Sequence, residues 1–386
     1  MHEKKTEKNS RRKTLIAFLA GAAIMFAGMQ IYTIGRDITS KESIIHALIE
    51  KYYLHEIDEE ALEDGKYKGM LAALDDPYTT YLTVEETSER IMQNEGTYRG
   101  IGIVLSQNAE TGELTVTRCY PGSPAEEAGI QEGDILYQVD ELLVSEMELS
   151  EVTSYIKNCG EDGVELTLVR KDVSDAVKVQ VIPTTIQSEM VKSEMLEDKI
   201  GYLIIYDFTE TTYKQFQEHL NALKEQGMTR LIVDLRSNTG GLLASVTDVL
   251  DSILPEGIMV YTMDKEGNRH DYTSSGETPL QIPMVVLVNG YTASASEIFA
   301  GAVRDYGMAQ LVGTKTYGKG VVQSTIYLDD GSAVKLTSAN YYTPKGTNID
   351  GSGLEPDVIV ELEPDTGDVV SDNQLEKAIE VIKTMK

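Results

Sequence analysis

The sequence predicts an α/β body made of parallel strand–helix–strand units, with a β-rich domain ahead of it and a helical region following an apolar N-terminal span. Three observations carry this. Strand, glycine turn and helix occur twice, from Leu231 to beyond Leu242 and from Met284 to Tyr306, the pattern of a parallel sheet with crossover helices. Short strands bounded by turns fill Tyr98 to Pro183, and apolar residues at helical spacing dominate Thr39 to Gln93.

The N-terminus has two parts. Residues 1–13 hold six basic and two acidic side chains, and residues 14–35 hold no charge at all. About twenty apolar-leaning residues make roughly 30 Å of helix, the hydrocarbon thickness of a bilayer. The span is therefore read as one transmembrane signal anchor. The alternative is a cleaved signal peptide, although the small residues Gly21, Ala22, Ala23, Ala27 and Gly28 lie inside the run rather than after it. With the basic tail held in the cytoplasm, everything after Arg36 is expected outside the membrane. The formal charge of the whole chain is −29, and such a surface repels nucleic acid and anionic headgroups. The two cysteines, Cys119 and Cys159, make no disulfide framework, no spacing resembles a metal site, and no phosphate loop or cofactor signature is present.

Residues 37–95 form the helical region: Ile44, Ile45, Leu48 and Ile49 make one apolar stripe, and Asp75-Asp76-Pro77 stops a second helix. Tyr52, Tyr53, Tyr78 and Tyr81 are its expected packing anchors. Residues 96–183 form the β-rich domain, entered through Arg99-Gly100-Ile101-Gly102-Ile103, with a short helix closed by Gly129 and a longer one over Glu148 to Lys157.

Residues 184–386 form the α/β core. Gly201–Ile205, Leu231–Leu235 and Met284–Val288 are its buried strands, and Thr212–Gln226 is an amphipathic helix burying Phe216, Leu220 and Leu223. Ser294 falls at the turn between the last of these strands and a helix from about Ser296 to Tyr306, where a hydroxyl is presented and the following N–H groups face developing negative charge. None of the five histidines lies near it. Lys319 does, in a Tyr-Gly-Lys-Gly loop, with Gln323 four positions on; burial can lower a lysine pKa enough to make it a base. Gly240 and Gly241 precede another helix and bring bare backbone N–H groups close to a ligand, so either one, with the N–H of Ala295, is expected to form an oxyanion hole. Ser296 is read as a helix N-cap, Glu297 as a first-turn carboxylate, and Arg304 and Asp305 as structural charges at the helix end.

Thr292-Ala-Ser-Ala-Ser-Glu297, a helix ending in Arg-Asp-Tyr-Gly, and Thr316-Tyr-Gly-Lys-Gly-Val-Val-Gln323 together resemble the C-terminal processing peptidases, or tail-specific proteases. The resemblance covers roughly Ile44 to Lys386. It implies a ClpP/crotonase-like core, Ser294 as nucleophile, Lys319 as general base and Gln323 as its orienting partner. The family's glycine segment often carries proline where this chain has Thr239. The β-rich domain is similar to a PDZ domain, a module that adds an extended peptide to a sheet edge and captures its terminal carboxylate on glycine-loop N–H groups, here those of Ile101, Gly102 and Ile103 beside Gly100. Leu74-Asp-Asp-Pro-Tyr-Thr-Thr-Tyr-Leu82 resembles the segment that precedes the PDZ domain in the family, where the helical region supports self-association.

The implied function is a membrane-anchored extracytoplasmic serine endopeptidase, free of cofactor and metal, acting on proteins or peptides with exposed C-termini and self-associating through its N-terminal helices. Two other classes compete. One is a catalytically inert membrane-tethered PDZ adaptor for C-terminal tails; the other is a small-ester or amide hydrolase on a crotonase-like core.

Overall fold

The computed structural model describes residues 40–108, 111–120, 122–160, 162–171, 173, 175–363 and 372–385. The basic tail (1–13) and the expected anchor (14–35) lie outside these. Among the described residues no helix is long and apolar enough to cross a membrane. The chain divides into two compact units, Met1–Met70 and Leu71–Lys386.

In the first unit, α1 (Lys41–Tyr52) is started by Ser40, whose Oγ accepts the Ser43 N–H at 3.0 Å. After it comes α2 (Glu59–Ala72). His46 bonds Glu59, and Lys66 bonds both Glu42 and Glu63. The stripe residues Ile44, Ile45 and Leu48 are exposed. Two of the four expected tyrosine anchors are not anchors: Tyr52 is 70% and Tyr53 58% exposed where the helix ends, with only Lys51 over the first ring and His55 at the edge of the second among the described ring contacts.

In the second unit, β1 (Thr80–Leu82) buries Tyr81, and α3 (Val84–Asn94) opens with a reciprocal cap in which Thr83 Oγ1 accepts from Glu86 N and Glu86 Oε2 from Thr83 N. The β-rich domain is an insertion on a two-stranded neck. It is entered through β2 (Thr97–Gly100) and left through β9 (Thr184–Gln187), which pair antiparallel with Thr97 opposite Gln187. Between them run β3 (Ile103–Gln107), β4 (Leu114–Cys119), α4 (Pro124–Glu127), β5 (Ile135–Val139), β6 (Leu142–Leu143), α5 (Leu149–Asn158), β7 (Val164–Val169) and β8 (Val177–Val181). Their sheet has the order β3-β4-β5-β7-β8, so β3 is an edge. Leu114, Val116, Leu136, Val152, Ile156, Leu166 and Leu168 fill the core beneath it, and the Cys119 and Cys159 thiols are free.

The α/β core follows, with β10 (Val191–Met195), β11 (Ile200–Ile205), α6 (Thr212–Glu225), β12 (Arg230–Asp234), α7 (Leu243–Asp251), the hairpin β13 (Gly257–Asp264) and β14 (Arg269–Ser274), β15 (Met284–Val288), α8 (Ala295–Asp305), β16 (Ala309–Gly313), β17 (Val321–Tyr327), β18 (Ala333–Tyr342), β19 (Val358–Ile359) and α9 (Asn373–Thr384). The main sheet has the order β10-β11-β12-β15-β16-β19 and is parallel from β11 onward. Its strands are apolar on both faces because both are covered. Leu231 and Val233 share a core with Phe216, Leu220, Ile298 and Phe299, while Ile232, Val285 and Leu287 pack with Ala378 and Ile382 of α9. A second, antiparallel sheet, β1-β18-β13-β14 with β17 also on β18, was only partly legible in the sequence.

Register positions the site. Asp234 lies opposite Leu287, and Val288 opposite Gly313, so the turns that carry Gly240–Gly241, Ser294 and Lys319 all leave the carboxyl end of the same parallel sheet. Open α/β sheets bind ligands at that end.

Candidate active site

Ser294 sits on a sharp turn between β15 and α8 with φ of +56° and ψ of −118°, a region that costs a residue other than glycine about 1–3 kcal/mol. The surroundings enforce it. Thr292 Oγ1 donates to Leu235 O at 2.8 Å, the Ala293 N–H bonds Asn238 O at 3.1 Å, and Tyr341 OH donates to Ser294 O at 3.1 Å. Asn289 Oδ1 takes the Ser237 N–H at 2.9 Å, tying the nucleophile turn to the glycine turn. The helix begins at Ala295, so Ser294 itself occupies the N-cap position, and Ser296, expected there, is inside the first turn. Its side chain is fully buried and its hydroxyl lacks a partner among the described residues.

Glu297, expected to be a simple first-turn carboxylate, is wholly buried and joins two loops. Its Oε2 accepts the N–H of Ser294 and that of Lys319, each at 2.9 Å; its Oε1 accepts the N–H of Gly318 at 2.8 Å and the hydroxyl of Thr316. Only Glu297's place in the Ser-Ala-Ser-Glu segment hinted at this, since three of its four partners lie 19 to 22 residues along the chain.

The Lys319 ammonium is half-buried and stands 4.7 Å from the centre of the Tyr78 ring. No hydrogen bond joins it to Ser294 Oγ among the described residues. Burial, with Arg90 nearby, lowers its pKa below the ordinary 10.5, against the opposing pull of Asp76 and Glu297. Gln323, on β17, lines the same cleft as Ser294, and its buried Nε2 lacks a partner among the described residues. Asp305 accepts the Lys345 N–H, and Arg304 donates to Glu355 O.

Both glycines of the oxyanion segment are sterically required. At Gly240, with φ of +115°, an added Cβ would lie 2.8 Å from Ala293 O; at Gly241, with φ of +122°, it would lie 2.2 Å from Phe208 O. They are not equivalent as donors. The Gly240 N–H is taken by Asn238 Oδ1 at 2.9 Å, while those of Gly241 and Ala295 have no acceptor among the described residues and flank Ser294. The cleft measures about 140 Å³, and its lining includes Gly241, Ser294, Ala295, Gln323, Arg90 and Lys335. The last two were not singled out in the sequence. Arg90 arrives on α3, in the region read from the sequence only as helical.

In the β-rich domain, Gly100, Ile101, Gly102 and Ile103 line a groove of about 240 Å³ between edge strand β3 and α5, opposite Leu149, Thr153 and Ile156. Gly102 has φ of +82°, and an added Cβ would lie 2.2 Å from Ser123 Cβ, so the loop needs glycine there. The Ile101 carbonyl accepts from Ala125 and that of Gly102 from Tyr120, while the Ile101 and Gly102 N–H groups have no acceptor among the described residues. A groove beside a free strand edge is the geometry for adding an extended peptide.

Residues 199–360 match the model of Peptidase family S41, residues 115–170 that of a PDZ domain, and residues 36–87 that of the N-terminal domain of the activating protease CtpB. A carboxyl-terminal-processing protease of Synechocystis is 36% identical over 296 residues, 76% of this chain and 69% of that one. The chain belongs to the carboxyl-terminal processing serine peptidases of family S41. The carboxy-terminal processing protease CtpA of Bacillus subtilis is 33% identical, covering 90% of this chain and 74% of its own length. A solved S41 protease from Bacteroides fragilis, at 18% identity and a TM-score of 0.56, covers 82% of this chain and 90% of its own, and shares the fold. As a carboxyl-terminal processing peptidase the chain is a serine-type hydrolase with a PDZ domain, in accord with the resemblance carried by Thr292–Glu297 and Thr316–Gln323.

Proposed function

We propose that this chain is a membrane-anchored endopeptidase working outside the cytoplasm, which takes protein C-termini into the β3–α5 groove and cuts them with a Ser294–Lys319 dyad. The observation that carries the dyad is the shared Glu297 oxygen, which fixes the two backbones to one point. Ser294 Oγ attacks the scissile carbonyl while neutral Lys319 takes its proton. The N–H groups of Gly241 and Ala295 receive the oxyanion, and Lys319 returns the proton to the leaving amine. Water then releases the acyl group by the same route reversed.

Burial favours the neutral lysine, the form a base needs. Because its ammonium rests on Tyr78, the lysine must change rotamer to reach Ser294, on a backbone that stays fixed. Gln323 stands on the same cleft wall, and the role proposed for it is to accept an N–H of the lysine with its Oε1 once the lysine arrives, leaving the amine lone pair to the serine. Anchoring follows from the uncharged span 14–35 behind a basic tail, which places the catalytic body outside. Self-association through the first helices is supported by the exposed apolar stripe of α1.

The test is cleavage of a folded protein carrying an apolar C-terminal tail. Ser294→Ala and Lys319→Ala should each abolish cutting while circular dichroism and melting stay near wild type. Full activity in either purified variant would rule the dyad out. Digestion of the catalytic body by a protease added outside the intact cytoplasmic membrane, with a cytoplasmic protein left whole, checks the orientation; protection of both would contradict it.

A further inference from the structure

Arg90 and Lys335 are two cations on the wall of the cleft that holds Ser294. They come from different elements: α3 carries Arg90, and β18 carries Lys335, which lies opposite Thr80 of β1 and Thr325 of β17. Neither is in an ion pair among the described residues, although the chain's formal charge is −29, whereas other partly buried cations are matched, as Arg170 is with Asp134, Arg236 with Asp234 and Asp372, and Lys157 with Glu89.

The nearby acids are already engaged. Glu297 holds four donors, Asp76 holds the Tyr78 N–H and the Thr79 hydroxyl, and Asp207 accepts the Phe208 N–H while burial pushes its own pKa up. Lys335 records the crowding: burial first, then Arg90 and Lys319, bring it down to about 8. It still carries its charge at neutral pH. Like charges gathered in a cleft repel one another until an anion arrives, and among the described residues no carboxylate pairs with either cation, Asp207 acting on Arg90 only through space.

We propose that Arg90 and Lys335 form a carboxylate subsite beside Ser294, which favours substrates presenting a carboxylate next to the scissile bond. This rests on the reading of the Ser294 cleft as the catalytic one. The carboxylate is either an acidic side chain flanking the bond or the α-carboxylate of a short remaining tail; both would bind by the same charge-assisted hydrogen bonds.

The experiment compares kcat/KM for peptide pairs that share an apolar tail. One arm scans Glu against Gln at each position flanking the cut, and the other compares free-acid with amidated C-termini at decreasing tail length. Wild type should favour the carboxylate member of at least one pair by about tenfold or more, the effect of one charge-assisted hydrogen bond. The arm that shows the preference identifies the source.

In Lys335→Met and in Arg90→Gln that ratio should fall toward one, and in Arg90→Glu a Lys-bearing peptide should overtake its Glu-bearing partner. Using ratios cancels any general loss of activity, and Arg90, exposed on a helix, gives a variant that folds if the Lys335 one does not. Equal rates for both members of every pair in wild type, or an unchanged ratio in both variants, overturns the subsite. With Ser294→Ala inactive, that result leaves the catalytic reading intact; an active Ser294→Ala would overturn that reading instead.

Discussion

The backbone amides of Ser294 and Lys319 converge on one oxygen of Glu297, at 2.9 Å each, so a single buried carboxylate sets the spacing of the Ser294 turn and the Lys319 loop. The other oxygen holds Gly318 and Thr316, which leaves the lysine loop no independent freedom at its base. The lysine side chain leaves that fixed backbone to lie with its ammonium 4.7 Å from the centre of the Tyr78 ring.

Replacing Glu297 by Gln turns one of its two acceptors into a donor facing N–H groups. The loss of buried charge-assisted bonds should cost about 2–4 kcal/mol of stability and lower kcat/KM by roughly 10²-fold or more. Urea unfolding and peptide cleavage measure the two together; a stable, fully active variant would show that Glu297 does not set the geometry.

Gly241→Ala should be the more damaging of the two glycine substitutions for kcat. Its Cβ would meet Phe208 O at 2.2 Å and displace an N–H that faces the cleft, and losing one oxyanion donor costs about 10²–10³ in kcat. Gly240→Ala removes no donor, since that N–H already serves Asn238, and should act on stability and kcat together because its Cβ would lie 2.8 Å from Ser294 Cβ and 2.9 Å from the Ala295 nitrogen. Melting curves beside kcat separate the two.

Activity should rise with pH along a limb set by Lys319. Its pKa is lowered, chiefly by burial, so the neutral base appears below 10.5, and protonation on the acid side removes activity. Arg90→Gln removes one of the influences that lower it, and should move the limb of kcat/KM toward higher pH. An unshifted profile would mean that Arg90 does not act on the base.

Leu149→Glu places a charge in the apolar wall of the β3–α5 groove, and should weaken binding of an apolar tail peptide at least tenfold in calorimetry. Unchanged binding would move tail recognition away from this groove.

Much of this architecture was readable in the chain. The runs Leu231–Leu235 and Met284–Val288 are apolar at every position because the sheet is covered on both faces, and the glycine and serine turns announce themselves by residue type. What escaped depends on contacts distant in sequence. Glu297 looked like a helix-dipole residue because three of its four partners follow the whole of α8 and β16. The helix start was placed late because a serine at φ of +56° leaves no signature in hydrophobic spacing. The meeting of Arg90 with Lys335 exists only once β1 and β18 have paired in the second sheet, while Asn238's claim on the Gly240 N–H is a turn geometry, two residues long, that residue type alone does not reveal. Tyr52 and Tyr53 misled because aromatic residues were assumed to pack where the helix in fact ends.

The most direct test of the dyad is single-turnover cleavage of a tailed protein by wild type, Ser294→Ala and Lys319→Ala at pH values from 6 to beyond the lysine limb. The account predicts a pH-dependent acyl-enzyme burst in wild type only, and none in either variant at any pH. A burst of wild-type size in Lys319→Ala would contradict it.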